Sequence, residues 1–228
     1  MIPWELLDTA DVPGRGEALR LLRRGAEYSI MSGSVELMNS RLSGSEEALA
    51  ELACARVATR PAPAILIGGL GMGFTLVAAL AALGPLAKVT VAELVPAVVA
   101  WARGPLAHIT GGALSDGRVS VHESDVGALI GSGQAAFDAI VLDVDNGPHG
   151  LSRAENDGLY SRSGLCAARR ALRPGGVLAI WSSAPEPAFT RRLREEGFAV
   201  EEIALRARKS GRGARRLIWI ATSPAGGA

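Results

Sequence analysis

The chain has 228 residues, a hydrophobic share of 48% and a formal net charge of +1. This length is that of one ordinary domain with a substantial core, and the hydrophobic share excludes a disordered protein. The near-zero charge gives no general attraction to nucleic acid, the apolar runs are too short to span a membrane, and no signal peptide is evident, so we expect a cytoplasmic protein.

The first quarter of the chain predicts a small extension. Residues 27–31 and 35–39 alternate around a Ser-Gly-Ser turn, which indicates a β-hairpin, and residues 43–58 follow as a helix. Two prolines, Pro61 and Pro63, then end the helix. We therefore divide the chain into an N-terminal hairpin and helix extension, residues 1–60, and a larger domain, residues 61–228.

Strands and helices alternate from residue 64 onward, with short connections, as in a parallel α/β sheet. The predicted strands are 64–67, 88–92, 118–123, 137–143, 177–181, 199–208 and 215–222. The predicted helices are 74–83, 96–103, a short one near 125, 157–172 and 186–196. The glycine linker at 209–213 is too short for a parallel return, so the last two strands form an antiparallel hairpin. Cys54 and Cys166 fall in apolar helical contexts and are predicted to be buried and reduced.

A glycine cluster follows the first strand of the larger domain. Gly69, Gly71 and Gly73 form the pattern G-x-G-x-G, which is neither the G-x-G-x-x-G of dinucleotide sites nor a P-loop. Glycines let a ligand approach the backbone closely, and the following helix offers free N–H groups. The pattern predicts a nucleotide site, although a plain strand-to-helix turn has the same appearance.

Polar residues at the ends of the next two strands extend this site, because ligands bind at the carboxyl ends of parallel strands. Glu93 lies 20 positions after Gly73, where its carboxylate can accept hydrogen bonds from both hydroxyls of a ribose. Asp125 and the N–H of Val126 are placed to bind an adenine. Asp125 is equally well explained as a helix N-cap.

The fourth strand ends in Asp143-Val144-Asp145-Asn146-Gly147-Pro148-His149. Asp143 and Asp145 alternate, so both face the same side if the strand continues, and either orients an amine or accepts its proton. His149 is a second candidate base. A divalent metal site would need a histidine or a third acid beside the two carboxylates. Neither is evident in the sequence, so no metal is predicted.

These motifs together resemble the spermidine synthase-like branch of the class I S-adenosylmethionine-dependent methyltransferase superfamily. The resemblance is carried by residues 67–73, Glu93, Asp125 and residues 143–148, with the aromatic Tyr160 after the catalytic loop. It implies a Rossmann-like class I methyltransferase fold, with a mostly parallel seven-stranded sheet that ends in an antiparallel hairpin. It also implies a homodimer and a co-substrate that is S-adenosylmethionine or its decarboxylated form. In aminopropyltransferases of this branch, the residue matching Asp143 deprotonates the accepting amine.

The chain departs from that branch at one position of its first motif. Aminopropyltransferases have Gly-Gly-Gly-Asp-Gly-Gly there, with an acid that anchors the aminopropyl nitrogen, and the matching residue is Gly71. A Tyr-His pair of their N-terminal part is also missing. The main prediction is therefore a small-molecule methyltransferase, with a polyamine aminopropyltransferase as the alternative and a non-catalytic nucleotide-binding protein as a second one.

Three further features complete the prediction. Tyr160 and Trp181 are candidates for the site of the acceptor, which is a small molecule and possibly an amine. Arginines and a lysine cluster at the last hairpin, but without interleaved aromatic residues they favour a solvated loop or dimer contact over RNA binding.

Overall fold

The computed structural model describes residues 2–13, 17–144, 157–206 and 215–225, which form two sheets flanked by helices. The strands are β1 (Glu5–Ala10), β2 (Leu19–Arg24), β3 (Glu27–Ser32), β4 (Val35–Asn39), β5 (Ala64–Gly68), β6 (Lys88–Glu93), β7 (Val119–Glu123), β8 (Phe137–Leu142), β9 (Leu172–Ser182), β10 (Ala199–Arg206) and β11 (Arg215–Thr222). The helices are α1 (Gly44–Val57), α2 (Phe74–Ala82), α3 (Pro96–Arg103), α4 (Ala107–Thr110), α5 (Val126–Ser132), α6 (Asp157–Tyr160), α7 (Arg162–Ala171) and α8 (Pro187–Glu195).

The larger sheet has the strand order β10-β11-β9-β8-β5-β6-β7. Its strands are parallel except β11, which runs antiparallel to both β9 and β10. The predicted seven-stranded, mostly parallel sheet with a terminal hairpin is therefore confirmed. The chain moves outward from β5 in one direction and returns to β8 on the other side, so the switch point lies between β5 and β8.

Two hydrophobic cores cover the two faces of this sheet. The strand β5 is buried on both faces from Ile65 to Gly68, as expected for a central parallel strand. One core lies under α1, α2 and α3 and includes the smaller sheet, and the other lies under α5, α7 and α8. Because side chains alternate along a strand, each strand end directs its last residues to a defined face.

The N-terminal extension contains more structure than the sequence predicts. The hairpin of β3 and β4 is confirmed, but β1 and β2 extend it to a four-stranded antiparallel sheet. The indole Nε1 of Trp101 on α3 donates a hydrogen bond of 2.6 Å to Asp8 of β1, and this bond lowers the pKa of Asp8. The smaller sheet is thereby held against the helices of the larger one. The division at residue 60 stays a prediction, and α1 packs on α2, β8 and β9.

A buried carboxylate holds the start of β5, which leads to the glycine cluster. Asp138 is fully buried, and it accepts bonds from Arg60 at 2.5 Å and from Arg173 at 2.7 Å. It also accepts the backbone N–H of Ala64 at 2.6 Å. Two arginines and a backbone donor compensate the desolvation of this charge, which fixes β5 against β8.

Two local predictions are wrong. The helix expected over 157–172 is divided into α6 and α7, and Ser161 caps α7 by accepting the N–H of Gly164. Cys166 is exposed, whereas Cys54 is buried as predicted, and burial raises the pKa of its thiol to about 12. In the described ranges, no helix is long and apolar enough to cross a membrane.

Candidate active site

A cavity lies at the carboxyl ends of β5, β6 and β8, beside the switch point of the sheet. It encloses about 790 Å³ of empty space, including its open mouth. Its walls contain Val12, Leu19, Ile30, Leu37, Met38, Gly69, Gly71, Ala92, Glu93, Leu94, Val95, Val98, Ser124, Asp125, Val126, Asp143 and Val144. Most of the predicted nucleotide-site residues are thus brought together in one place.

The glycine cluster forms the floor of the cavity because its positions leave no room for side chains. Gly69 and Gly71 have left-handed backbones, with φ of 88° and 51°, and Gly73 is the N-cap of α2. A Cβ on Gly69 would lie 2.5 Å from the backbone oxygen of Asp143. The turn therefore brings the end of β5 against the end of β8, which needs glycine.

Glu93 is 8% exposed and closes the wall at the end of β6. Its Oε2 accepts the N–H of Leu70 and its Oε1 accepts the N–H of Val95, each at 2.9 Å. Burial raises the pKa of this carboxyl, and the backbone N–H groups oppose the shift. The N–H groups of Gly71 and Leu94 also act on this carboxyl, but only the Leu70 and Val95 bonds are well formed, and these leave acceptor capacity on both oxygens.

The segment after β7 supplies a polar edge to the same cavity. The carboxylate of Asp125 accepts the N–H of Gly127 at 2.6 Å, so it caps α5, which is the helix N-cap role that the sequence also predicted. Val126 is buried beside it. The hydroxyl of Ser124, which sequence reasoning missed, is buried and has no hydrogen-bond partner among the described residues.

Asp143 is a second carboxyl of the cavity whose pKa is raised. Thr75 at the start of α2 donates its hydroxyl to Oδ2 of Asp143 at 2.6 Å. Burial raises the pKa of Asp143 to about 7, the charge of Glu46 on α1 raises it as well, and the Thr75 bond opposes the shift. A carboxyl that titrates near neutral pH can both accept and release a proton under ordinary conditions.

The opposite wall of the cavity is apolar and comes from the smaller sheet. It consists of Val12, Leu19, Ile30, Leu37 and Met38, none of which sequence reasoning placed at the site. Met38 lies directly against the glycine turn, since a Cβ on Gly71 would be 2.6 Å from its Cε and 2.7 Å from its Sδ. The methionine therefore occupies the space that a side chain at position 71 would need.

This contact leads to a prediction about Gly71. We expect Gly71→Ala to lower the free energy of unfolding by about 1–3 kcal/mol, because alanine disfavours a left-handed backbone and its Cβ displaces Met38. Thermal denaturation measures the change. The matched control is Gly131→Ala in α5, where a Cβ meets no atom within 4 Å. That variant should gain about 0.5–1 kcal/mol, since alanine is the better helix former. Equal melting temperatures for the two variants would contradict the proposed packing.

The remaining predicted residues lie elsewhere. Tyr160 is buried in the second core, edge-on to Phe189, and Trp181 is partly buried at the end of β9; neither is in the cavity wall. Asp145 and His149 lie outside the described residues. Within the described part of the chain, no three His, Cys, Asp or Glu side chains are grouped to hold a metal ion.

Comparison with known families identifies this arrangement. The sequence profile of the spermine/spermidine synthase domain matches residues 44–192, which is more than half of the chain. The chain belongs to the spermine/spermidine synthase domain family. The sequence predicted this family from the glycine turn, Glu93, Asp125 and Asp143, and that prediction is confirmed.

Individual proteins agree with this assignment. A polyamine aminopropyltransferase of Nitrosomonas europaea is 39% identical over 98 residues, which are 43% of this chain and 29% of the relative. The chain thus matches less than a third of the length of this curated relative. Spermidine synthase of Thermotoga maritima has the same fold, with a TM-score of 0.74 at 17% identity over 95% of this chain and 72% of that one. A spermidine synthase in complex with the transition-state analogue AdoDATO gives a TM-score of 0.73 with the same identity and coverage.

The family corrects the main functional prediction. The chain was expected to be a small-molecule methyltransferase, mainly because Gly71 replaces the acid of the aminopropyltransferase motif. That prediction is wrong, since the matched family is that of spermine and spermidine synthases and the curated relative is an aminopropyltransferase. The glycine at position 71 is thus a difference within the same family. It alters the wall of the site, because Met38 lies in the space beside it.

Proposed function

We propose that this chain is an aminopropyltransferase. It takes a decarboxylated S-adenosylmethionine as donor and transfers the aminopropyl group to a small-molecule amine. The observation that carries the proposal is the partly buried Asp143, which is bonded to Thr75 and has its pKa raised to about 7 beside the family's glycine turn.

The cavity has the groups that such a donor requires. A ribose beside the glycine turn would find the remaining acceptor capacity of the Glu93 carboxylate. A base beside Val126 would meet the apolar side chains of Leu94 and Val95, and its polar edge would satisfy the unpartnered Ser124 hydroxyl. The sulfonium arm would pass the Gly71 backbone and contact Met38, which fills the space beside that glycine.

The chemistry is a displacement at carbon. The lone pair of the acceptor nitrogen attacks the aminopropyl carbon bonded to sulfur, and the carbon–sulfur bond breaks with its electrons moving to sulfur. The sulfonium becomes a neutral thioether, and the proton lost by the nitrogen passes to the carboxylate of Asp143. The cavity contributes in-line positioning and the proton acceptor, which are the two contributions that this reaction needs.

A transfer assay tests the proposal. The chain is incubated with decarboxylated S-adenosylmethionine and an amine, and the products are identified by mass. We expect one methylthioadenosine for each aminopropylated amine. Nucleoside binding without turnover on any amine would instead support the non-catalytic alternative, and methylation of the amine by S-adenosylmethionine would contradict the proposal.

Donor binding should release a proton from Asp143. With a pKa of about 7, this carboxyl is about half protonated at pH 7, and a cationic sulfonium nearby favours the charged form. Calorimetric titrations at pH 7 in phosphate and in Tris should therefore give different enthalpies. The difference should vanish with the neutral thioether methylthioadenosine and in Asp143→Asn. Identical enthalpies for the sulfonium in both buffers would show that its binding does not change the protonation of Asp143.

Three further properties, two predicted from the composition and the homodimer implied by the resemblance, stay predictions. They are a cytoplasmic location, a homodimer and the absence of nucleic acid among the ligands. The acceptor itself is treated next.

A further inference from the structure

Asp143 stands in a row of side chains that continues across the sheet. The register of β8 and β9 pairs Leu142 with Ile180, so the next step along both strands brings Asp143 beside Trp181. Both follow residues of the first core, Val141 and Ala179, by two positions. They therefore lie on the same face of the sheet, one strand spacing of about 4.8 Å apart.

The next strand adds a cation to this row. Trp181 is paired with Ile218 on β11, and Arg216 lies two residues further toward the same edge and on the same face. The guanidinium of Arg216 lies 5.3 Å from the centre of the Trp181 ring, within the range of a cation–π contact. Its Nη1 donates to the backbone oxygen of Ser183 at 3.5 Å.

Neither member of this pair has its polar groups fully used. No ion pair between described residues includes Arg216, although arginine always carries its charge. The indole Nε1 of Trp181 is buried and has no hydrogen-bond partner in the described ranges. Buried indole N–H groups are normally satisfied, so the indole of Trp181 lacks an acceptor. The guanidinium of Arg216 has only the backbone oxygen of Ser183, and an anionic oxygen is the acceptor that suits a guanidinium best.

We propose that the acceptor is an amine that also carries a carboxylate, such as an ω-amino acid. This inference rests on the proposed aminopropyl transfer and names its substrate class. Asp143 in the cavity wall receives the nucleophilic amine at one end of the row. Arg216 on Trp181 receives the carboxylate at the other end, outside the cavity wall. Two strand spacings and the two-residue offset of Arg216 separate their backbones by about 12 Å, and the two side chains shorten this to a gap that suits a chain of a few methylene groups between the two charges.

The same arrangement disfavours a simple diamine. The second ammonium of a diamine would lie near the guanidinium of Arg216, and like charges that face each other reduce affinity. Arg216 is therefore a specificity residue. It acts on the choice of acceptor and has no part in the displacement itself.

A competition assay tests this assignment. Putrescine and 4-aminobutyrate have four carbons each and differ by one ammonium against one carboxylate. With both at equal concentration and limiting decarboxylated S-adenosylmethionine, we expect at least about tenfold more product from 4-aminobutyrate, equivalent to about 1.4 kcal/mol. Arg216→Glu should reverse the preference through KM, and Arg216→Lys should keep its direction. The matched control is Arg194→Glu on α8, an exposed arginine whose replacement should leave the ratio unchanged.

Two results separate the inference from the proposed function. A wild-type preference for putrescine that Arg216→Glu leaves unchanged overturns the inference, while aminopropyl transfer stands. Transfer to neither amine counts against the proposed function. In that case calorimetric binding of the two amines in the presence of methylthioadenosine decides the inference: tighter 4-aminobutyrate that depends on Arg216 supports it, and equal or weaker binding overturns it.

Discussion

Asp143→Asn is expected to lower the rate of aminopropyl transfer by about 10²- to 10⁴-fold, the usual contribution of a positioned proton acceptor. Asparagine has nearly the same shape and its oxygen still accepts the Thr75 hydroxyl, which in the native chain lies 2.6 Å from the carboxylate. The loss should therefore fall on the catalytic rate, with little change in the affinity for methylthioadenosine. Steady-state kinetics together with calorimetry measure the two separately.

The same variant should become more stable at alkaline pH. The folded pKa of Asp143 is about 7, above its usual value of 3.8, so the folded state favours the neutral carboxyl. Stability is then lost as pH rises from about 4 to 7, because the folded state must release a proton that the unfolded state has already lost. Asparagine avoids this cost. We expect a gain of about 1–3 kcal/mol at pH 8, which is several degrees of melting temperature, and a much smaller difference at pH 4.

Asp116 provides a control with the opposite sign. Bonds from Arg118 lower the pKa of Asp116 to about 2, so its contribution to stability is present above pH 4 and is lost as pH falls through 2. Asp116→Asn should therefore melt below the native chain at pH 8, with full transfer activity. If Asp143→Asn also melts below the native chain at pH 8, the charge of Asp143 does not destabilise the folded state as assigned.

Glu93→Gln is expected to weaken binding of methylthioadenosine by about 10- to 100-fold. Each charge-assisted bond from a ribose hydroxyl contributes about 1.5–3 kcal/mol, and glutamine has no charge and only one acceptor oxygen. That oxygen can keep only one of the N–H bonds of Leu70 and Val95, so the glycine turn also loses a support. Calorimetric titration measures the affinity.

Glu123 is the matched control for this variant. It is the residue paired with Glu93 on the neighbouring strand, and it has the same chemistry but is exposed and outside the cavity wall. Glu123→Gln should leave the dissociation constant within about twofold of the native value, as surface substitutions away from a site usually do. Equal losses of affinity in both variants would show that the ribose does not bind Glu93.

The larger sheet was predictable because its strands are buried and short. β5 and the last four residues of β8 are apolar runs, followed by the glycine cluster and by Asp143 respectively, and such runs have a clear signature. The strand β1 had none, because it lies at the edge of the smaller sheet and has no buried residue. Without a buried face there is no alternation to read in β1, so the predicted extension was smaller than the observed sheet.

The cavity was predictable on one side only. Glu93, Asp125 and Asp143 stand at strand ends, where the spacing along the chain fixes their place in space. The wall around Met38 depends on how the smaller sheet docks, which is a tertiary contact made by Asp8 and Trp101, 93 residues apart. Thr75 was missed for the same reason, since only the fold brings its hydroxyl to Asp143.

The most direct test of the account is a crystal structure of the chain with decarboxylated S-adenosylmethionine. We expect the ribose hydroxyls within hydrogen-bond distance of Glu93, the base beside Val126, and the aminopropyl carbon on the side of the sulfur that faces Asp143. A nucleoside bound away from the glycine turn, or one whose sulfonium points away from Asp143, would contradict the account.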